Sequence, residues 1–136
     1  MIGESTAELI KKTIGTAPPD YDKQEMEVRG RSLTSGAPGS LVVSGSEVRE
    51  AIAEVVNSII TGVRHALENT PPELSGDIMT SGIALAGGGA LLKGFDKRVS
   101  EELKVSVTIA DDPLAAVVKG AGMCLDNPEL YKDIWF

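Results

Sequence analysis

The chain has 136 residues, of which 42% are hydrophobic and 24% charged, and its formal net charge at pH 7 is −7. This length and composition fit about one globular domain, and the acidic balance argues against a nucleic-acid partner, which needs clustered Lys and Arg. No apolar run reaches the roughly 20 residues of a transmembrane segment, the N-terminus lacks secretory-signal features, and the lone Cys124 fits a reducing, cytoplasmic setting.

The first predicted element is a helix near the N-terminus. Ser5 and Glu8 have the spacing of a capping box, and Gly15 is placed to end the helix in the left-handed conformation. After a loop with two prolines, residues 25–44 carry alternating apolar and charged residues on one side of a Gly/Ser/Pro turn and an apolar run on the other. This pattern predicts a two-stranded hairpin with one exposed face.

Residues 46–68 show the clearest helical periodicity in the chain. Apolar residues recur at three-and-four spacing over about six turns, and Ser44 and Glu47 have capping-box spacing. We therefore expect a long helix with one core-facing side. The predicted inner face comprises Val48, Ala51, Ile52, Val55, Val56, Ile59, Ile60, Val63 and Leu67.

The second half of the chain is predicted to alternate helices and strands. In order, we expect a loop with a short helix near 73–79, a buried strand at 83–86, a helix at 90–103, a strand at 105–110, and a helix capped by Asp112 with Pro113 at its first position. The tail ends in an apolar cluster formed by Ile134, Trp135 and Phe136. This alternation favours parallel strands covered by helices.

Three consecutive glycines, residues 87–89, join the predicted strand to the predicted helix. Such a turn lets a ligand approach the backbone at a helix N-terminus, where negative charge is favoured. The Walker A pattern fails because Phe95 follows Gly94, and the dinucleotide fingerprint fails because Leu92 stands where its third glycine belongs. From the residues alone, a phosphate-binding turn and a sharp packing corner remain equally good interpretations.

Other candidate residues have simpler structural interpretations. His65 lies away from the strongest apolar stripe of the long helix, so we expect it to be exposed, and no serine or cysteine constellation for a catalytic triad lies near it. Asp111 and Asp112 form a possible metal pair, but a helix cap before Pro113 explains Asp112 better. No catalytic residue and no metal ligand is predicted.

Six segments in order resemble successive segments of the C-terminal part of MreB, the bacterial actin homologue that determines rod shape. They are GESTAELIKKTIG, EMEVRGRSL, EVREAIAEVVNSI, TPPELSGDI, GIALAGGGALLKGFDKRV and ADDPLAAVVKGAG, and together they cover roughly residues 2–125. The resemblance implies an α/β chain that is part of the actin/Hsp70/sugar-kinase (ribonuclease H-like) fold. Residues 1–45 would form a small subdomain of helix plus hairpin (IIB), and residues 46–136 an α/β segment of subdomain IIA with a C-terminal tail.

The resemblance also implies a nucleotide site for ATP with Mg²⁺, and it favours the ligand interpretation of the glycine turn. The family's glycine motif, which lies against the nucleotide, matches Gly87, Gly88, Gly89 and Ala90. The helix motif that borders the adenosine matches Glu8, Leu9, Ile10 and Lys11. Leu9 stands where relatives usually carry arginine, so that position lacks the arginine side chain.

The family's two phosphate loops and its water-positioning residues lie upstream of this stretch, so the resemblance implies a fragment or a shortened relative without turnover of its own. For the full-length form it implies self-association into filaments and docking to membrane proteins of the cell-elongation machinery, in the cytoplasm at the inner face of the membrane. A different hypothesis is a stand-alone module that caps filaments or binds a partner through hairpin 25–44 without using nucleotide.

Overall fold

The structure is a computed structural model that describes residues 1–132. Its helices and strands are α1 (Glu4–Ile14), β1 (Glu25–Arg31), β2 (Pro38–Ser44), α2 (Gly45–Glu68), α3 (Pro72–Ser81), β3 (Ile83–Leu85), α4 (Phe95–Leu103), β4 (Val107–Ile109) and α5 (Ala116–Asp126). The predicted apolar cluster at residues 134–136 lies outside the described residues.

The predicted hairpin is confirmed, and α1 packs against it. β1 and β2 pair antiparallel from Glu25 opposite Ser44 to Arg31 opposite Pro38. The segment that joins the strands is short, polar and contains glycine, as a turn requires. Apolar residues of β1 face α1 and the start of α2. The first core cluster consists of Ile10, Ile14, Val28 and Val48, with Met26 and Val43 packed against it.

Helix α2 begins at the predicted capping box. The Ser44 hydroxyl accepts a hydrogen bond from the Glu47 backbone N–H at 3.3 Å, and the Glu47 carboxylate accepts one from the Ser44 backbone N–H at 2.8 Å. These contacts satisfy two backbone donors that would otherwise lack partners at the helix end. The bond from the Ser44 backbone N–H, followed by a second that the Ser44 hydroxyl donates to the same carboxylate at 2.8 Å, lowers the pKa of Glu47, because both favour the charged form.

The inner face of α2 is narrower than predicted. Val56 and Ile60 are buried, but Ala51 and Val55 are exposed and Ile59 is 48% exposed, so the assignment of these three to the core was wrong. Neighbouring residues on a helix lie about 100° apart. The residues next to Val56 and Ile60 in sequence therefore point away from α4, although they continue the apolar stripe.

A second core cluster forms where α2 meets α4 and the second sheet. Its buried residues are Val56, Ile60, Phe95 and Val99. Strands β3 and β4 pair in parallel, with Ile83 opposite Val107, which confirms the predicted parallel arrangement. Each strand is only three residues long, and neither has a fully buried residue, so the prediction of a buried strand at 83–86 was wrong.

The predicted ends of α1 are wrong, although the helix itself is confirmed. Gly3 occupies the N-cap and no side chain caps the helix, because Ser5 lies inside it. Gly15 has φ −67°, so it is not left-handed. Glycine is needed there because an added Cβ would lie 2.3 Å from the Lys11 carbonyl oxygen.

Three later boundaries also differ from the prediction. Helix α3 runs over ten residues, longer than the predicted short helix. Helix α4 begins at Phe95 instead of residue 90, because Gly94 adopts a left-handed conformation with φ +70°. Asp112 does accept a hydrogen bond from the Ala115 backbone N–H at 3.3 Å, but it caps a turn that precedes α5.

Helix α2 contributes to both core clusters, Val48 to the first and Val56 with Ile60 to the second. The division into subdomains near residue 45 stays a prediction. Within residues 1–132, none of the helices has both the length and the apolar character that crossing a bilayer requires.

A candidate nucleotide site at helix α1 and the glycine turn

A groove of about 660 Å³ runs between α1 and the first turns of α2. Its walls include Glu8, Ile10 and Lys11 from α1, and Glu47, Val48 and Ile52 from α2. Three of the four α1 residues that the resemblance implicated therefore share this groove. The fourth, Leu9, is exposed and does not line it.

The groove combines an apolar floor with a charged rim. Ile10 and Val48 are buried members of the first core cluster, so their positions are set by packing. The Glu8 carboxylate lies 2.7 Å from the Lys12 ammonium on the next turn of α1. The hydrogen bond with Lys12, followed by the coulombic attraction to the same group, lowers the pKa of Glu8. Glu8 thus presents a charged acceptor beside the exposed Lys11 donor.

The glycine turn follows β3 directly and is tied to the segment before α5. Gly87 has φ +81° and ψ 172°, and its backbone N–H donates to the Pro113 carbonyl oxygen at 2.7 Å. Residues Gly88–Leu91 form a short 3-10 turn, with Ala90 buried. The prediction that the turn opens directly into an α-helix was therefore wrong, and no α-helical N-terminus supports an anion at these glycines.

The three glycines differ in what requires them. The backbone conformation at Gly87 is one that is essentially restricted to glycine. A Cβ added at Gly88 would make only an ordinary contact of 3.5 Å with Leu114 Cδ2, and one added at Gly89 would meet nothing within 4 Å. A sharp turn of the backbone therefore accounts for Gly87 but for neither of its two neighbours.

Lys93 joins the end of the glycine segment to the end of α1. Its carbonyl oxygen accepts a hydrogen bond from the Ala17 backbone N–H at 3.0 Å, and it forms a parallel bridge with the fully buried Thr16. Its ammonium group donates to Gln24 Oε1 at 2.8 Å and to the Thr13 carbonyl oxygen. Sequence reasoning missed this tether, because it joins residues 69 and more positions apart with no shared motif.

The predicted site residues thus fall in two places. Glu8, Ile10 and Lys11 line the groove, whereas Leu9 and the glycine motif, residues 87–90, lie outside its lining. Lys93 connects the two regions through the C-terminal end of α1. Among residues 1–132, no three His, Cys, Asp or Glu side chains are grouped so that they could hold a metal ion. His65 is exposed on α2, as expected.

Comparisons with known proteins identify the family. The family model described as MreB/Mbl protein matches residues 1–133. The chain belongs to the MreB/Mbl family. It is 46% identical over 127 residues to the cell shape-determining protein Mbl of Bacillus subtilis strain 168, and this match covers 93% of the chain and 38% of Mbl. It is 43% identical over 131 residues to the cell shape-determining protein MreB of Escherichia coli K12, with 96% and 38% covered.

The fold is confirmed by a solved relative. The crystal structure of MreB5 of Spiroplasma citri bound to ADP matches 98% of this chain and 40% of that chain, with a TM-score of 0.87 and 37% identity. The α/β arrangement described above is therefore a portion of the actin-like fold. The chain spans about 38% of the length of the Mbl and MreB relatives that it matches.

Proposed function

We propose that this chain forms the nucleoside side of the nucleotide cleft in an MreB-like cytoskeletal ATPase that maintains rod cell shape and organises cell-wall elongation. The observation that carries the proposal is the groove between α1 and α2. There Glu8 and Lys11 from one turn of α1 border an apolar floor that includes Ile10 and Val48. The proposal is supported by the relative crystallised with ADP, whose fold matches nearly the whole of this chain.

The groove chemistry fits a nucleoside. Ile10, Val48 and Ile52 provide apolar surface for the flat faces of adenine, and burial of apolar area contributes about 25 cal/mol per Å². The Glu8 carboxylate is an acceptor for hydroxyl or amino groups, and the Lys11 ammonium is a donor for ring nitrogens or hydroxyls. When bound, Mg²⁺ neutralises the phosphate charge. The proposal places the Mg²⁺ ligands and the residues that orient the hydrolytic water in segments of the family that have no counterpart in this chain.

The glycine turn would serve the same ligand from a second side. Gly89 leaves open space over its backbone, and Leu114 is the only neighbour in contact range of a Cβ built at Gly88, which would allow close approach by a sugar or phosphate group. The tether at Lys93 would hold this turn at a constant position relative to α1. A ligand that contacts both regions would then bind to a preformed surface, which lowers the ordering cost of binding.

The test needs a complete cleft, so we would exchange the matched stretch of Escherichia coli MreB for this chain and measure binding of a fluorescent ATP analogue. In this chimera we expect Lys11→Ala and Gly89→Val each to weaken binding at least tenfold, about 1.4 kcal/mol. Lys23→Ala is the matched control for charge, because Lys23 is exposed and lies outside the groove. Each variant is first shown to retain the unfolding midpoint of the chimera.

Parent-like binding by folded Lys11→Ala and folded Gly89→Val would remove the assignment of both regions. If only Gly89→Val binds like the parent, the turn is a packing feature and α1 alone carries the site. Loss of binding by Lys23→Ala to the same extent would show that net charge, and not the groove, controls the affinity.

In its complete form the protein would self-associate into filaments and dock to membrane proteins of the cell-elongation machinery, at the cytoplasmic face of the membrane. A second candidate function is a module that caps filaments without nucleotide. It is favoured by hairpin 25–44, where Leu33, Leu41 and Val42 are exposed. Co-sedimentation of the chain with filaments of a full-length relative, with and without ATP, tests it: binding that needs no nucleotide and is lost in Leu41→Glu supports the module.

A further inference from the structure

The two parts of the candidate site lie on different sides of a junction in the chain. Helix α1 and strands β1 and β2 pack around the first core cluster, and we call these three elements the hairpin unit. The chain passes between the hairpin unit and the rest of the molecule at three places: after α1, before β1, and between β2 and α2. Glu8 and Lys11 belong to the hairpin unit, whereas the glycine turn follows β3 in the other half of the chain.

All three crossings meet at Lys93 and Gln24. The Lys93 ammonium donates to the Thr13 carbonyl oxygen, in the last turn of α1. It also donates to Gln24 Oε1 at 2.8 Å, directly before β1. The Gln24 carbonyl oxygen in turn accepts a hydrogen bond from the Gly45 backbone N–H at 2.8 Å, at the first residue of α2. One side chain therefore links the end of α1, the start of β1 and, through Gln24, the start of α2.

The side chain of Lys93 holds a part of α1 that its backbone does not reach. The Lys93 carbonyl oxygen accepts the Ala17 backbone N–H, and Lys93 forms a bridge with Thr16, so both backbone contacts lie beyond the end of α1. Gly15 stands between them and the helix, with an extended backbone of φ −67° and ψ 137°. Rotation about these two angles would swing α1 without breaking either backbone contact. The bond to Thr13 crosses this joint, and it places a cation at the negative end of the α1 dipole.

We propose that Lys93 is a positioning residue for the nucleotide site, whose ammonium fixes the orientation of the hairpin unit, and with it Glu8 and Lys11, relative to the glycine turn. The inference rests on the proposed function, because only a ligand that contacts both regions requires their relative position. Lys93 follows Gly89 by four residues, which span at most about 14 Å. Thr13 follows Lys11 by two residues, about 3 Å along the helix axis. A loose hairpin unit would have to be ordered when such a ligand binds, and this ordering costs affinity.

The first test compares two ligands of the chimera in which this chain replaces the matched stretch of Escherichia coli MreB. The fluorescent ATP analogue would contact both regions, whereas free adenine would occupy the groove alone. In Lys93→Met we expect the analogue to bind at least fivefold more weakly, while the affinity for adenine, measured by ligand-observed NMR, changes less than about twofold. Lys93→Arg should restore the affinity for the analogue to within about twofold of the parent, because a guanidinium offers several donors to the same two acceptors.

Lys97→Met is the matched control for this test. The Lys97 ammonium also makes a long-range contact, but with the Tyr21 hydroxyl in the segment between α1 and β1, so its loss should leave both affinities within about twofold of the parent. Equal weakening of both ligands by Lys93→Met, equal effects of the two lysine variants, or parent-like binding of the analogue by folded Lys93→Met would overturn the inference while the proposed function stands. If the parent chimera binds neither ligand, the proposed function fails and the inference fails with it.

Hydrogen exchange of the chimera without nucleotide tests the link itself. The amides of Gly15, Ala17 and Gly45 form backbone hydrogen bonds at the junction. In Lys93→Met we expect these amides to exchange at least tenfold faster than in the parent, while those in the middle of α2 keep their parent rates. Unchanged exchange at the junction would show that the backbone contacts alone hold the hairpin unit, and would overturn the inference. Where Lys93→Met does not fold, Gln24→Ala removes one acceptor of the same ammonium, and both tests apply to it with the same expected directions.

Discussion

Ile60 is the residue whose replacement best tests the core of this chain. It is 3% exposed on α2 and belongs to a cluster whose other buried members, Val56, Phe95 and Val99, are all apolar. Its sequence neighbour Ile59 is chemically identical but 48% exposed. Ile60→Asp and Ile59→Asp therefore place the same carboxylate at adjacent positions with opposite burial.

The expected difference in stability is large. Removing a buried isoleucine side chain gives up about 1.5–3 kcal/mol of transfer free energy. Leaving an ionised carboxylate without a partner in an apolar cluster costs several kcal/mol more. The sum approaches the roughly 5–15 kcal/mol that stabilises a typical domain, so Ile60→Asp should leave most of the chain unfolded. Ile59→Asp should change the stability by about 1 kcal/mol or less, because its carboxylate stays in water.

Urea unfolding followed by far-UV circular dichroism measures both effects. Ile60→Ala provides a variant that still folds, with an expected loss of about 2–5 kcal/mol. A parent-like midpoint for Ile60→Asp would refute the placement of α2 against α4. If Ile59→Asp unfolds the chain, the broader inner face of α2 that the apolar periodicity predicts is correct.

Three further predictions concern the helix cap, the glycine turn and catalysis. Hydrogen bonds from Ser44 lower the pKa of Glu47, so their stabilising effect is complete above the ordinary Glu pKa and is lost as the pH falls through the lowered pKa. Between about pH 5 and pH 3, the urea unfolding midpoint of Glu47→Gln should therefore fall less than that of the parent. An equal fall of both midpoints with pH would contradict this prediction. Gly87→Ala should lower the free energy of unfolding by about 1–3 kcal/mol, because alanine does not tolerate this backbone conformation. Gly89→Ala should stay within about 0.5 kcal/mol of the parent. Urea titration measures both values, and equal losses would mean that the turn is misplaced. With Mg²⁺ and ATP, the chain alone should release phosphate no faster than buffer. Turnover that persists through purification would disprove the idea that ATP hydrolysis needs family segments absent from this chain.

The features that could be predicted from the sequence are those with local causes. Ser44 and Glu47 cap α2 through contacts three residues apart, so their spacing suffices. The alternation of helices and strands in the second half of the chain predicts parallel strands. The parallel pairing of β3 with β4 confirms this prediction. The α1 part of the candidate site comes from the resemblance to the family, whereas helical spacing says only that Glu8 and Lys11, three positions apart, share one side of the helix.

The features that were missed depend on distant parts of the chain. The start of α4 is set by Gly94, where a Cβ would lie 2.7 Å from Pro18 Cγ, a residue 76 positions earlier. The apolar stripe of α2 shows which residues avoid water but not which of them α4 covers, so Ile59 was placed in the core. The tether at Lys93 uses backbone groups of Thr13 and Ala17, and backbone contacts leave no mark in the identity of the residues.

The glycine segment shows how separate physical causes can produce one sequence motif. Gly87 is required by its own backbone conformation, and Gly94 by a left-handed conformation pressed against Pro18. Nothing within the described chain requires glycine at positions 88 and 89. Glycine carries a larger entropic cost on folding than any other residue, so two glycines without an internal cause point to an external one. In this chain the external candidate is the nucleotide that is proposed to lie over the turn. Gly89→Val in the chimera tests this cause, because its side chain would fill the open space over the turn.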